Sequence, residues 1–326
     1  MTIQNPPQPW RAVENPLVAT LLDPRWRAFA PPAWLERWRV ERVAVEGGEV
    51  EIVEAGEGPP LVLLPPLPGW KEAYLALLPI LARRFRVLTF DLRSRFTGRA
   101  RWEALVADAE RIVATRFGGE SVAVFGHSLG GALALRWAID RPTRIRALVL
   151  SSAFRRVFTP RGAGIARWLE QPVALAAMRW LPARASAGAA RRLAAGCRWV
   201  FDPHCDPHVI DLVRHGVRTV PLALVSRRVG LALEVDPGER LSHIACPVLI
   251  LHGERDTEFA RASAAELAAT LPQAQRAVIA EAGHLHPLSR PEELGRVVTD
   301  WITGLDTDAT ARHAFVSIRS RNDESH

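Results

Sequence analysis

Apolar positions fall in three successive patterns along the chain. At its start, Arg42-Val43-Ala44-Val45 and Val50-Glu51-Ile52-Val53 largely alternate apolar and polar on either side of Gly47-Gly48. A period of two around a Gly-Gly turn predicts a β-hairpin. From residue 60 the runs become short and continuously apolar, at 61–64, 85–90, 121–125, 147–150, 247–251 and 276–279. Strands that are apolar on both faces belong in a parallel sheet covered on both sides. Between two of them, residues 102–117 place Leu105, Val106, Ala109, Ile112 and Val113 on one helical face. Repeated βα units behind an antiparallel hairpin predict an α/β fold, an open, mostly parallel sheet with helices on both faces.

One interval breaks this rhythm. Nearly a hundred residues separate Leu150 from Pro247, whereas a βα crossover needs far fewer. Helical patterns at 164–169, 172–181 and 184–195, with Trp168, Trp180 and Trp199 nearby, predict a helical insertion over the sheet. The last helix, expected over 291–302, opens on Pro291 followed by Glu292 and Glu293, as helix starts prefer. The expected organisation is therefore an N-terminal arm at 1–40, a core at 41–151 and 243–304, a helical cap at 152–242, and a mobile tail at 305–326. The arm is proline-rich and carries Trp10, Trp26 and Trp34, which suit packing on the body better than free motion.

Composition narrows the class. Of 326 residues, 48% are apolar and 24% charged, proportions of a globular protein able to bury a large core. The net charge of +7 is carried by arginine, Lys71 being the sole lysine. Those arginines are spread along the whole chain, so they form no basic patch and indicate no nucleic-acid partner. Cys197, Cys205 and Cys246 make no CxxC pair and no disulfide framework. No basic-then-apolar leader opens the sequence, and the longest apolar stretches, at 61–68 and 172–178, are too short to span a membrane. A reduced, cytoplasmic setting is the expectation.

The run Val122-Ala123-Val124-Phe125-Gly126-His127-Ser128-Leu129-Gly130-Gly131 carries the chemistry. It reads as strand, G-x-S-x-G, then a helix beginning Ala132-Leu133. Glycines at 126 and 130 are expected to let the backbone turn tightly and push the Ser128 hydroxyl out of the sheet. The Leu129 amide, at the new helix N-terminus, would then face a developing oxyanion.

This passage resembles the α/β-hydrolase superfamily, in its serine-nucleophile branch with a helical cap, and the resemblance covers most of residues 40–304. It implies that an acid and then a histidine follow the nucleophile along the chain. The late strand at 247–251 runs into His252-Gly253-Glu254-Arg255-Asp256, and the next strand into Glu281-Ala282-Gly283-His284. Asp256 and His284 are thus the expected acid and base. Glu254 matches the motif less well, His286 lies in a segment that Pro287 is expected to turn into a cap, and His127 and His252 are expected to pack or hydrogen-bond nearby. Leu67 keeps by position the amide that completes the oxyanion hole, although Pro65-Pro66-Leu67-Pro68-Gly69-Trp70 departs from the His-Gly pair of relatives.

The implied activity is hydrolysis of a carboxylic ester or related small acyl compound through an acyl-enzyme on Ser128. An acyltransferase, a thioesterase or a carbon–carbon bond hydrolase could use the same residues, and a non-catalytic binding protein could share the fold. A serine nucleophile disfavours the aspartate-nucleophile branches. Asp202-Pro203-His204-Cys205-Asp206-Pro207-His208 suits a helix start with Asp206 as N-cap better than a metal site. Arginines 155, 156, 161, 191, 192, 227 and 228 read as solvated surface. No phosphate-binding glycine loop occurs, and neither metal nor cofactor is expected.

Overall fold

The computed structural model describes residues 38–307, apart from positions 47, 68, 97–100, 158–204, 208, 214–219, 221 and 272. The arm before Trp38, the cap helices expected within 164–195, the Asp202–His204 part of the candidate metal cluster with His208, and the tail beyond Thr307 lie outside the described residues.

The hairpin forms where the period of two places it. β1 (Arg39–Val45) pairs antiparallel with β2 (Gly48–Ala55), with Val45 opposite Gly48 at the turn. The strands β3 (Pro60–Leu64), β4 (Arg86–Phe90), β5 (Val122–His127), β6 (Ile145–Ser151), β7 (Val248–Gly253) and β8 (Gln275–Ile279) follow. All eight form one sheet in the order β1-β2-β4-β3-β5-β6-β7-β8, antiparallel only at β1·β2 and β2·β4. β3 and β5 are buried along their whole length, which is why both read as continuous apolar runs.

Alternate residues of each strand feed opposite cores. Val62, Leu64, Val122, Val124, Leu148 and Leu150 face a layer containing α2 (Trp102–Phe117) and α3 (Leu129–Asp140). On that side also lie α4 (Leu222–Glu234) and α5 (Glu258–Thr270). Leu61, Leu63, Ala123, Phe125 and Val149 face the layer of α1 (Leu78–Leu81), α6 (His286–Ser289) and α7 (Pro291–Thr307). Trp38 is buried in this second layer, so the body begins before residue 41.

α2 buries the predicted face, Leu105, Val106, Ala109, Ile112 and Val113, and ends at Gly118, whose φ of 58° suits a helix terminus. Asp108 is buried on the same face because Arg93 grips both its oxygens, at 2.5 Å each. The last helix runs to Thr307, five residues past the expected end at Ile302, and passes through Gly304 without ending there. No described helix is long and apolar enough to cross a membrane.

Candidate active site

Parallel strands expose their carboxyl ends along one edge, where ligands gather in open α/β sheets. Ser128 follows β5 at this edge and is the N-cap of α3. Its backbone sits at φ 53°, ψ −115°, a sparsely populated region for a side-chain-bearing residue and a strain of about 1–3 kcal/mol. The surroundings enforce it: the Ser128 amide donates to Ser151 O at 2.9 Å, and Ser128 O accepts from Gly131 N at 2.9 Å. Leu129, as the first residue of α3, contributes one of the helix's unpaired N-terminal amides.

The glycines of the motif act differently from expectation. Neither Gly126 nor Gly130 has positive φ, and Ser128 itself takes the strained conformation. They supply room instead. A Cβ on Gly126 would lie 2.4 Å from Gly130 O, and one on Gly130 would lie 2.0 Å from Leu64 O.

Asp256 follows β7 and His284 follows β8, each in the segment the resemblance indicated. His284 Nδ1 lies 2.8 Å from Asp256 Oδ1. A carboxylate only accepts, so Nδ1 carries the proton and Nε2 is left as the basic nitrogen. Asp256 Oδ1 also accepts from Thr257 N at 2.7 Å, and Oδ2 accepts from Ser152 Oγ at 2.5 Å. Thr257 in turn caps α5 by accepting from Ala260 N, which fixes the acid loop to a helix start. Burial alone would raise the Asp256 pKa. The His284 imidazole and the hydrogen bonds from His284 and Ser152 outweigh that and hold the carboxyl far below the usual range.

Ser128 and His284 are half-buried at the same edge, and the ring of His127, next to Ser128, stands 5.0 Å from the His284 ring. No hydrogen bond joins Ser128 to His284 among the described residues; such contacts often tighten only with substrate in place. Leu67 is the second residue of a turn closed by Gly69 N donating to Pro66 O at 2.7 Å. Glu254 faces elsewhere and accepts the Glu281 amide at 2.9 Å, and His252 Nδ1 donates to Gly253 O.

His286 is fully buried. Its Nδ1 donates to Gly283 O at 3.0 Å, so its Nε2 accepts from Ser151 Oγ at 2.7 Å, and Ser151 accepts from His127 Nδ1 at 3.0 Å. This neutral relay connects β5, β6 and the histidine loop beneath His284. Burial, only partly opposed by Asp256, lowers the His286 pKa to about 4. The unfolded chain, titrating near 6.5, therefore binds more protons between those values. Stability contributed by neutral His286 is complete above about pH 6.5 and falls as pH drops toward 4, by about 3 kcal/mol. Urea unfolding at pH 7 and pH 4.5 should show this loss, and His286→Gln should remove it; an unchanged pH dependence in the variant would refute it.

Ser151 and Ser152 were not singled out from sequence, where they are ordinary serines after an apolar strand. Their place at the carboxyl end of a central parallel strand is the one signal that marks them. Among the described residues, no group of three or more His, Cys, Asp or Glu side chains could hold a metal ion.

The chain is similar to known proteins over most of its length. A protein of Escherichia coli O44:H18 (strain 042 / EAEC), named "Putative carbamate hydrolase RutD", is 25% identical over 267 residues, covering 76% of this chain and 92% of its own length. The malate-bound thermophilic esterase from Thermogutta terrifontis is 26% identical with a TM-score of 0.66, over 81% of this chain and 99% of that one. The enol-lactonase from Burkholderia xenovorans LB400, at 20% identity and TM-score 0.66 over 81% of this chain and all of that one, shares the fold. The model of the alpha/beta hydrolase family matches residues 61–297, which takes in the hydrolase sheet from β3 to β8 and every candidate site residue. Sheet order, serine elbow and family match agree, and the chain belongs to the alpha/beta hydrolase family.

Proposed function

We propose that this protein is a serine hydrolase acting on a carboxylic ester or related acyl compound, with Ser128 as nucleophile, His284 as base and Asp256 as its acid partner. The observation that carries the reading is the 2.8 Å bond from His284 Nδ1 to a buried, ionised Asp256, beside a serine held in a strained strand-to-helix turn. His284 Nε2 takes the Ser128 proton as Oγ bonds to the acyl carbon, and the amides of Leu129 and Leu67 receive the charge on the carbonyl oxygen. The imidazolium then protonates the leaving group. Water, deprotonated by the same nitrogen, attacks the acyl-enzyme and releases the acid. The reading needs no metal or cofactor, and residues 152–242 would form the cap that shapes the acyl pocket. The names of the Escherichia coli relative and the Thermogutta esterase, a carbamate hydrolase and an esterase, support an acyl substrate.

Stopped-flow assay with short p-nitrophenyl esters tests this. The expected result is a burst of p-nitrophenol with one equivalent per Ser128, blocked by prior labelling with a fluorophosphonate. Neither burst nor labelling would overturn the proposal.

Ser152 holds Asp256 through a charge-assisted hydrogen bond, an interaction of about 1.5–3 kcal/mol. Ser152→Ala should lower kcat/KM by roughly 10-fold to 100-fold, mainly through kcat. A kcat/KM within twofold of wild type would contradict that role.

A further inference from the structure

The loop expected to supply the second oxyanion donor lacks the usual His-Gly pair, and the structure shows what braces it instead. Gly69, which closes the turn at 66–69, has φ 71°. Its carbonyl accepts from Leu92 N at 2.9 Å, joining the turn to the segment after β4. Two residues on, Lys71 donates to Asp91 twice, from its backbone N at 2.9 Å and from Nζ at 3.0 Å. Lys71, the sole lysine, is buried in this joint and also pairs with Glu72 at 2.8 Å and Glu51 at 3.1 Å.

Arg228 reaches the same joint from α4, within the last part of the expected cap segment. Sequence reasoning placed it on the solvated surface, yet it is only 1% exposed. Its Nη2 donates to Leu92 O at 2.8 Å and to Arg93 O at 3.1 Å. Its guanidinium lies flush against the turn, since a Cβ on Gly69 would stand 2.4 Å from Nη1. Burial lowers its pKa to about 10, with Asp91 acting in the opposite sense, so it keeps its charge at neutral pH. Burying an arginine is costly unless its donors are used, and here Nη2 serves two carbonyls of the segment whose Leu92 amide holds Gly69 O. α4 is itself anchored, because Trp102 Nε1 donates to Leu231 O at 3.1 Å.

We infer that Arg228 is a positioning residue that holds the 66–69 turn, and with it the Leu67 amide, in place beside Ser128. The inference rests on the serine hydrolase reading. Arg228 braces the turn by a distant contact, from α4 through Leu92 to Gly69. Its loss should resemble loss of one oxyanion donor, about 10²-fold to 10³-fold in rate.

The test compares wild type, Arg228→Ala, Arg228→Lys and Ser128→Ala in p-nitrophenyl acetate turnover and in the rate of fluorophosphonate labelling. Arg228→Ala should lower kcat and the labelling rate about 100-fold with KM within threefold. Millimolar methylguanidinium should restore at least a tenth of the lost rate, and Arg228→Lys should fall between. A raised KM with unchanged kcat would make Arg228 a substrate contact and overturn the inference, as would wild-type kinetics. Should Arg228→Ala fail to fold, Arg228→Lys carries the same comparison, and an unaltered kcat there overturns it equally. Absence of a burst in wild type would instead refute the serine hydrolase reading, separating the two failures.

Discussion

Ser128→Ala is expected to reduce turnover by about 10⁴-fold to 10⁶-fold while leaving the fold intact. The proposed nucleophile is the residue whose oxygen forms the covalent bond, so no neighbour can replace it. Alanine at 128 keeps a Cβ and inherits the same φ of 53° and the same backbone bond to Ser151 O, so its unfolding midpoint should stay near that of wild type. Ser128→Gly separates strain from chemistry. Glycine adopts positive φ without penalty, so this variant should be equally inactive yet more stable by about 1–3 kcal/mol, less roughly 1 kcal/mol for the entropy of its unfolded chain. Kinetics with p-nitrophenyl esters and urea melts read both quantities. Activity of Ser128→Ala within tenfold of wild type would remove Ser128 from the mechanism.

Gly130→Ala should be the most damaging single-methyl change in the described structure. Helix propensity predicts the opposite, since alanine is favoured over glycine inside a helix by about 1 kcal/mol. Position 130 is the second residue of α3, and its new Cβ would stand 2.0 Å from Leu64 O, 2.7 Å from Leu64 C and 2.8 Å from Pro65 O. All three are backbone atoms, so no rotamer change relieves the overlap. Leu64 is pinned besides, because it lies in parallel register with Gly126 and its carbonyl accepts the Tyr74 hydroxyl at 2.5 Å. Separating α3 from β3 is the remaining escape, at an expected cost of roughly 3 kcal/mol or more, at the upper end of overpacking effects. Pro65 leads directly into the turn carrying Leu67, so activity should fall with stability. A urea midpoint equal to or above wild type would refute the overlap at position 130.

These two predictions separate what could be read from spacing from what could not. The hairpin, the buried parallel strands and the apolar face of α2 follow from periods of 2 and 3.6, which are local properties. The order Ser128, Asp256, His284 came from resemblance to a family with that order, and each residue stands at the carboxyl end of a strand as that order requires. The role of the elbow glycines was misassigned because sequence does not show how near β3 passes to α3. Arg228 was assigned to the surface on composition, since one arginine among many carries no mark of burial.

Sequence alone therefore determined the α/β class, the strand-turn-helix holding Ser128 and the segments that end in Asp256 and His284, because each depends on residues adjacent in the chain. The tertiary structure decided the supports: Ser152 on Asp256 across 104 positions, Ser151 on His286 across 135, Arg228 on Leu92 across 136. Those partners meet only because the strand order sets β6 between β5 and β7 and folds α4 back over the end of β4. Hydrogen bonding acts over about 3 Å, and which distant groups come within that reach is a property of the folded sheet.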